Sequence, residues 1–208
     1  MSVDYHDAAM DDMLEHISDE LYPEHREKAI SEFTGERLRS YYVKNPNVMQ
    51  AAVMTLRKAK SLAASSHFSA ALVFSASAYE LLLKATLLRP VLHGLVHNDA
   101  LAEVLVHRML GVTTDIKRYE ELLAKLFIEI ASLDLATLHR PNAKTPLIAE
   151  IIKYQKLRNR ILHAGIACRE TDADEAQEVG IAIFSQVVVP LLGALGLRSD
   201  DLGMIHPV

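Results

Sequence analysis

Cysteine is almost absent. With Cys168 alone among 208 residues, no intrachain disulfide can form, and a reducing, cytoplasmic setting is the expectation. Long apolar runs are scarce too. The longest strongly apolar stretch, Val187 to Leu197, is too short to cross a bilayer, and Met1 to Glu20 is acidic where a secretory leader would be basic and then apolar. No membrane partner is expected. The chain also lacks a glycine-rich phosphate loop, an internal repeat, a low-complexity tract and any convincing alternation of apolar and polar residues. Positive charge is in deficit: the net charge of -5 gives no global attraction to nucleic acid and argues against a tight non-specific binder.

What is present is hydrophobic content, half of all residues, and enough length for one substantial core. The pattern is helical throughout. Two helix-forming segments, Tyr5 to Leu21 and Glu24 to Lys44, end at the Asn45-Pro46-Asn47 breaker and form an N-terminal helical extension over residues 1–45. Asn47 is placed to cap a helix running to about Ala64. Ser65 or Ser66 is placed to cap the next, which continues to Leu88 before Arg89-Pro90 ends it. In that second helix Phe68, Leu72, Ala76, Tyr79, Leu82, Leu83 and Leu87 share a face, with small residues interleaved that allow close approach. Asn98 or Asp99 starts a helix through Leu110, Gly111 stops it, Thr114 or Asp115 opens another through Ser132, and His139 to Asn142 form a loop. Asp172 or Asp174 starts the last helix, through about Leu192, leaving residues 196–208 as a tail. The expected fold is an all-α bundle over residues 46–195.

Before that last helix the chain reads Lys156-Leu157-Arg158-Asn159-Arg160-Ile161-Leu162-His163-Ala164-Gly165. Pro146 is placed to open this helix and Gly165 to close it in a left-handed cap. At 100° per residue, Leu147, Ile151, Tyr154, Ile161 and Leu162 form one apolar stripe, and Arg158 falls inside it. An arginine there needs a partner. Glu80, at the shoulder of the Phe68 to Leu87 face, is one candidate, since an unpaired buried guanidinium costs several kcal/mol. The alternative for Glu80 is a surface pair with Lys84 at i, i+4, a contact of about 0.3 to 0.5 kcal/mol. Asn159 and His163 lie one turn apart on a neighbouring face and can act together on whatever crosses it. The arginine fork suits a phosphate, and the imidazole, in the last turn where the helix dipole favours a cation, suits proton transfer.

Arg158 and His163, with four residues between them, Asn159 following the arginine, and the earlier helix Ala76-Ser77-Ala78-Tyr79-Glu80-Leu81-Leu82-Leu83-Lys84 together resemble the HEPN superfamily. The resemblance covers roughly the last three quarters of the chain. Members are small all-helical domains that include metal-independent endoribonucleases, many of them toxins or antiviral effectors. It implies a homodimer with the two motifs in a shared cleft, cleaving RNA through the 2'-hydroxyl to leave a 2',3'-cyclic phosphate, with no metal or other cofactor. Arg158 would hold and neutralise the phosphate, His163 would be the general acid or base, and Asn159 the polar residue that follows the arginine. The other reading is a catalytically silent module of the same fold that binds RNA, a nucleotide or a partner protein. Gly165 stands where toxins controlled by a nucleotidyltransferase antitoxin often carry tyrosine, which speaks against that mode of control but leaves an inhibitor or antitoxin protein as a further partner.

The motif region concentrates positive charge in Lys153, Lys156, Arg158, Arg160 and Arg169. Lys153, Lys156 and Arg160 are therefore candidate RNA contacts, with a solvated helix face as the alternative for the two lysines. The acidic extension is expected to be a partner-binding arm, a segment covering a basic cleft, or extra packing through Leu14, Ile17, Leu21, Ile30, Phe33 and Leu38. His93 and His97 have a metal-clamping separation, but Gly94 lies between them and no further ligand follows at a suitable spacing. Cys168 is expected to be a small buried or half-buried residue, and His139 and Arg140 to be loop accessories at most.

Overall fold

Pro90 and Pro190 sit inside helices without ending either. The computed structural model describes residues 34–96, 98–110, 124–125, 127–128, 131–141 and 143–208. It is an all-α fold with one short hairpin. Helix α1 spans 34–44, α2 Gln50–Ala64, and α3 Phe68–Leu81 continues through a π-helical segment, Leu82–Leu88, into α4, Arg89–Leu95. Helix α5 spans Asp99–Leu110 and α6 Leu147–Ala164. Helix α7, Glu170–Ile183, passes through a second π-helical segment, Phe184–Val188, into α8, Val189–Ala194. The described residues between 124 and 131 are helical as well, whereas Gly111, Thr114 and Asp115 lie outside the described residues.

The expected stop at Arg89-Pro90 is therefore replaced by a change of helical winding. Proline has no N–H to give to the carbonyl four residues back, which for Pro90 is that of Thr86. The Tyr42 hydroxyl of α1 donates to that carbonyl instead. Wider winding just before the ring relieves the clash, and π-helical turns are a recurrent way to absorb such irregularity. Pro190 repeats the arrangement after Phe184–Val188.

As a result there are, among the described residues, two long apolar helices, Phe68–Gly94 with mean hydropathy 1.4 and Glu170–Ala194 with mean hydropathy 1.5, each long and apolar enough to cross a membrane. Their apolar windows are 65% and 50% buried inside the bundle, which is how core helices acquire such composition. The two pack together with α2. Ala71, Ser75, Ala76 and Ala78 on one side and Ala173, Ala176 and Ala182 on the other are buried, the small-residue packing expected from the interleaved pattern. Packing is tight at Gly180, where an added Cβ would meet Leu56 Cδ1 at 2.7 Å and Tyr79 Cε1 at 3.3 Å.

The core does not respect a boundary at residue 45. Leu38 and Tyr42 of α1 are fully buried in the same cluster as Leu72, Tyr79, Tyr154 and Ile183, so the described part of the extension is packing. Leu14, Ile17, Leu21, Ile30 and Phe33 lie outside the described residues. The tail is structured too. Strands β1 (Leu197–Ser199) and β2 (Ile205–Pro207) pair antiparallel, Leu197 opposite Pro207, and bury Leu197 and Ile205. Its turn is held by Asp200, which accepts from the N–H groups of Leu202 and Met204 at 2.9 and 2.8 Å, and by Gly203 at φ +81°. Strands of three residues are too short to show alternation, which is why the sequence hid them.

Two expected caps are corrected. Helix α2 starts at Gln50 after a turn over Asn45 to Met49, with no side-chain cap from Asn47. Ser65 instead returns its hydroxyl to Ser61 O at 3.1 Å, Ser66 takes φ +60°, and α3 begins after His67. At α5 the expectation holds: Asn98 Oδ1 accepts from Leu101 N at 3.1 Å. The last helix begins at Glu170, before either expected aspartate.

Candidate functional site

Helix α6 carries the site, and its ends are set as the sequence predicts. Pro146 is extended at φ -55°, ψ 142°, and Gly165 closes the helix at φ +64°, its N–H donating to Ile161 O at 3.1 Å. Leu147, Ile151, Tyr154 and Arg158 are buried and Ile161 is half-buried. Leu162 departs from this pattern at 57% exposed. By angle it lies on the same stripe, so the bundle wall ends about one turn before the helix does, leaving the Leu162 side chain exposed beside His163.

Arg158 points inward and finds Glu80. Its Nη1 donates to Glu80 Oε1 at 2.6 Å, with side chains 10% and 14% exposed respectively. Nε and Nη2 both donate to Asn159 Oδ1, at 3.1 and 2.9 Å. Gln155, one turn earlier, donates to the same Glu80 oxygen at 3.1 Å. The choice between Arg158 and a surface lysine as Glu80's partner is thus decided for Arg158. Lys84 nevertheless belongs to the cluster. Burial lowers its ammonium below the usual lysine range, with Glu80 opposing and Arg158 adding to the effect.

Every nitrogen of the Arg158 guanidinium has an acceptor, yet two of its five N–H groups remain unspent in that count. The arginine is fixed rather than waving. Asn159, held by it, is exposed, and so is His163 one turn on. The expected shared face of Asn159 and His163 is therefore solvent-facing and anchored from below by a buried ion pair. Lys156 and Arg160 are exposed on the same helix.

Lys153 is different. Its ammonium contacts Glu175 Oε2 at 3.2 Å, donates to Tyr154 Oη at 2.9 Å and lies 4.6 Å from the Tyr154 ring centroid. Tyr154 Oη also donates to Glu175. That hydrogen bond, more than Lys153, holds the Glu175 carboxyl below the usual range. Lys153 is exposed as well, but unlike Lys156 and Arg160 its ammonium is engaged in this surface network.

Arg140 is not a loop accessory. Nε and Nη2 grip Glu150 at 2.9 and 2.8 Å in a fork, both side chains under 10% exposed, and Nη1 contacts Glu178. It ties the 132–146 connection to α6 and α7. His139 is exposed; its Nδ1 lies 2.7 Å from Thr137 O, and Gln186 donates to its carbonyl at 3.1 Å.

Cys168 is half-buried as expected, and burial pushes its thiol up to about 11, which is unsuited to nucleophilic work. His97 lies outside the described residues, and His93 packs on Tyr41 with ring centroids 4.9 Å apart. Among the described residues no three metal-ligating side chains cluster.

Sequence reasoning missed Gln155 as a member of the cluster and weighed Lys84 only as a surface partner of Glu80. Gln155 could have been found at i-3 from Arg158, on the same inward face. No protein-family model, curated protein or solved structure matches the chain.

Proposed function

We propose that the protein is a metal-independent endoribonuclease of the HEPN type, cytoplasmic, acting as a homodimer in a toxin-antitoxin or defence setting. The observation that carries the reading is the exposed Asn159 and His163 surface, fixed by the buried Glu80, Arg158 and Asn159 network at the end of α6. Preorganisation of this kind is what an electrostatic site needs, because groups already oriented lose nothing when the substrate arrives. Exposed Leu162 beside His163 supports a second copy across the two-fold axis, which would supply another imidazole without new sequence.

The chemistry balances with those groups. One imidazole takes the proton of the 2'-hydroxyl as its oxygen bonds to phosphorus. The bond from phosphorus to the 5'-oxygen breaks, and a protonated imidazole from the second copy gives that oxygen its proton. The unspent Arg158 donors and Asn159 stabilise the charged phosphate, while Lys156 and Arg160 draw RNA to the face. An inhibitor or antitoxin protein would act by covering this surface.

A second reading is favoured by one observation. Arg158 is buried and its nitrogens are engaged, as in a structural arginine of a silent module that binds RNA, a nucleotide or a protein partner through the same face. The two separate in one experiment, RNA cleavage and RNA binding measured side by side in EDTA for the wild type, His163→Ala and Asn159→Ala. The ribonuclease reading expects His163→Ala to lose at least about a hundredfold in rate with binding kept. Binding without cleavage in the wild type would establish the silent module.

A further inference from the structure

Away from α6, a cavity of about 480 Å³ lies between α2, the helix that runs from α7 into α8, and the C-terminal hairpin. Its wall is apolar: Val53 and Leu56 of α2, Leu82 and Phe184 from the two π-helical segments, Leu192 of α8 and Leu197 of β1. π-Helical turns recur at functional sites, and here both open onto one space. The hairpin is fixed as a side of it. Gly203 packs so closely on α2 that an added Cβ would meet Val53 Cγ2 at 2.8 Å, and Arg57 of α2 donates to the Asp201 carbonyl of the turn. Tertiary contacts therefore build this cavity, and its volume falls in the range of small-molecule sites.

The lining shows what chemistry it suits. Apolar character continues to the mouth, where Ile181 and Val189 are 57% and 46% exposed, so an apolar body entering here covers surface that water now meets. The rim is charged. Lys60 and Arg198, on α2 and β1, are exposed and make no ion pair or hydrogen bond among the described residues. Of the carboxylates beside them, Asp200 is engaged by the N–H groups of Leu202 and Met204 and by His206, which leaves Asp201. Within the wall, Gln177 Nε2 is buried and has no hydrogen-bond partner among the described residues. Buried amide donors without an acceptor are the exception in folded proteins.

We propose that this cavity binds a medium-chain fatty acid, its alkyl body against Leu56, Leu82, Phe184 and Leu192 and its carboxylate toward Lys60 and Arg198 at the rim. The apolar wall supplies the affinity, because burial of methylene groups is the dominant favourable contribution in such a site. The rim cations choose the sign of the head group. They stand on separate elements and form no converging fork of the kind that grips a phosphate dianion, which favours a monoanion. Gln177, turned about its last side-chain bond, offers the same carboxylate the N–H that now lacks an acceptor. The inference is independent of the ribonuclease reading, whose residues all lie on α6 and around Glu80.

Isothermal titration of the full chain with octanoate, butyrate and octylammonium tests it. Saturable octanoate binding at or below about 1 mM is expected. Butyrate should bind at least about tenfold more weakly, since each buried methylene is worth up to about fourfold in affinity. Octylammonium carries the same chain with the opposite charge, and should also be weaker by at least about tenfold. Lys60→Gln and Arg198→Gln should each weaken octanoate by a few-fold, and Ile181→Glu, which sets a carboxylate at the mouth, by about tenfold or more. All of these positions are exposed, so the variants should keep the wild-type Tm. Methyl NMR on the same samples locates the ligand: Val53, Leu56, Leu192 and Leu197 should shift with octanoate, and Leu162 on α6 should not. No saturable octanoate binding up to about 10 mM, equal affinity for octylammonium, unchanged affinity in Ile181→Glu, or methyl shifts confined to residues outside the lining would overturn the proposal.

Discussion

Replacing Arg158 with methionine removes one charge from a pair whose side chains are 10% and 14% exposed, while keeping most of the buried stem. Glu80 is then left in the bundle with its carboxylate desolvated. Breaking such a pair from one side costs about 3 to 5 kcal/mol. Two features place this case near the lower end: Gln155 still donates to Glu80 at 3.1 Å, and Lys84 is close enough for Glu80 to act on its charge. A loss of about 3 kcal/mol in a chain of this size corresponds to a fall in Tm of roughly 6 to 12 °C. Thermal unfolding followed by circular dichroism, with urea denaturation to obtain the free energy, measures it. The double variant Arg158→Met with Glu80→Gln removes both charges and should recover at least half of the loss, because the penalty comes from the stranded carboxylate rather than from the absent bond. A fall of less than about 3 °C in the single variant, or additive losses in the double, would refute the claim that this ion pair is buried and coupled.

Three further outcomes follow from the packing and charge networks. Gly180→Ala should destabilise by about 1 to 3 kcal/mol in urea unfolding, because the added methyl meets Leu56 at 2.7 Å and Tyr79 at 3.3 Å where three helices converge. Tyr42→Phe should cost about 1 to 3 kcal/mol, since it uncovers the Thr86 carbonyl that Pro90 cannot satisfy; an unchanged stability would mean that carbonyl finds another donor. The Glu175 carboxyl is held below its unfolded value, first by the Tyr154 hydroxyl and then by Lys153. Its contribution is therefore present above the ordinary carboxylate pKa and lost as pH falls through the depressed folded value. Urea midpoints measured from pH 6 down to pH 3 should fall less steeply in Glu175→Gln than in the wild type.

The helical character, the limits of α6 and the inward direction of Arg158 were legible because they depend on local chemistry: a proline before the helix, a glycine after it, and a 3.6-residue period between. The identity of Arg158's partner was narrowed to two possibilities but not decided. Glu80 lies 78 residues away, and whether it faces α6 or solvent depends on the phase of α3, which short-range pattern does not determine. The continuation through Pro90 was not legible at all, since it depends on a π-helical segment before the ring and on a tyrosine hydroxyl that another helix brings to the Thr86 carbonyl. Arg140 read as a loop residue because its sequence neighbours are loop-like, yet its grip on Glu150 and Glu178 is tertiary. Leu162 marks the converse case. Its place on the apolar stripe is correct, and only the extent of the neighbouring helices explains why nothing covers it.

The most direct test of the functional account is the chemistry of the RNA ends left by the wild-type protein in EDTA, with His163→Ala as the control. The account predicts cleavage that continues in chelator, 2',3'-cyclic phosphate on the upstream fragment, a free 5'-hydroxyl on the downstream one, and loss of both products in the variant. Fragments ending in a 3'-hydroxyl and a 5'-phosphate, or cyclic phosphate formed equally well by His163→Ala, would contradict it.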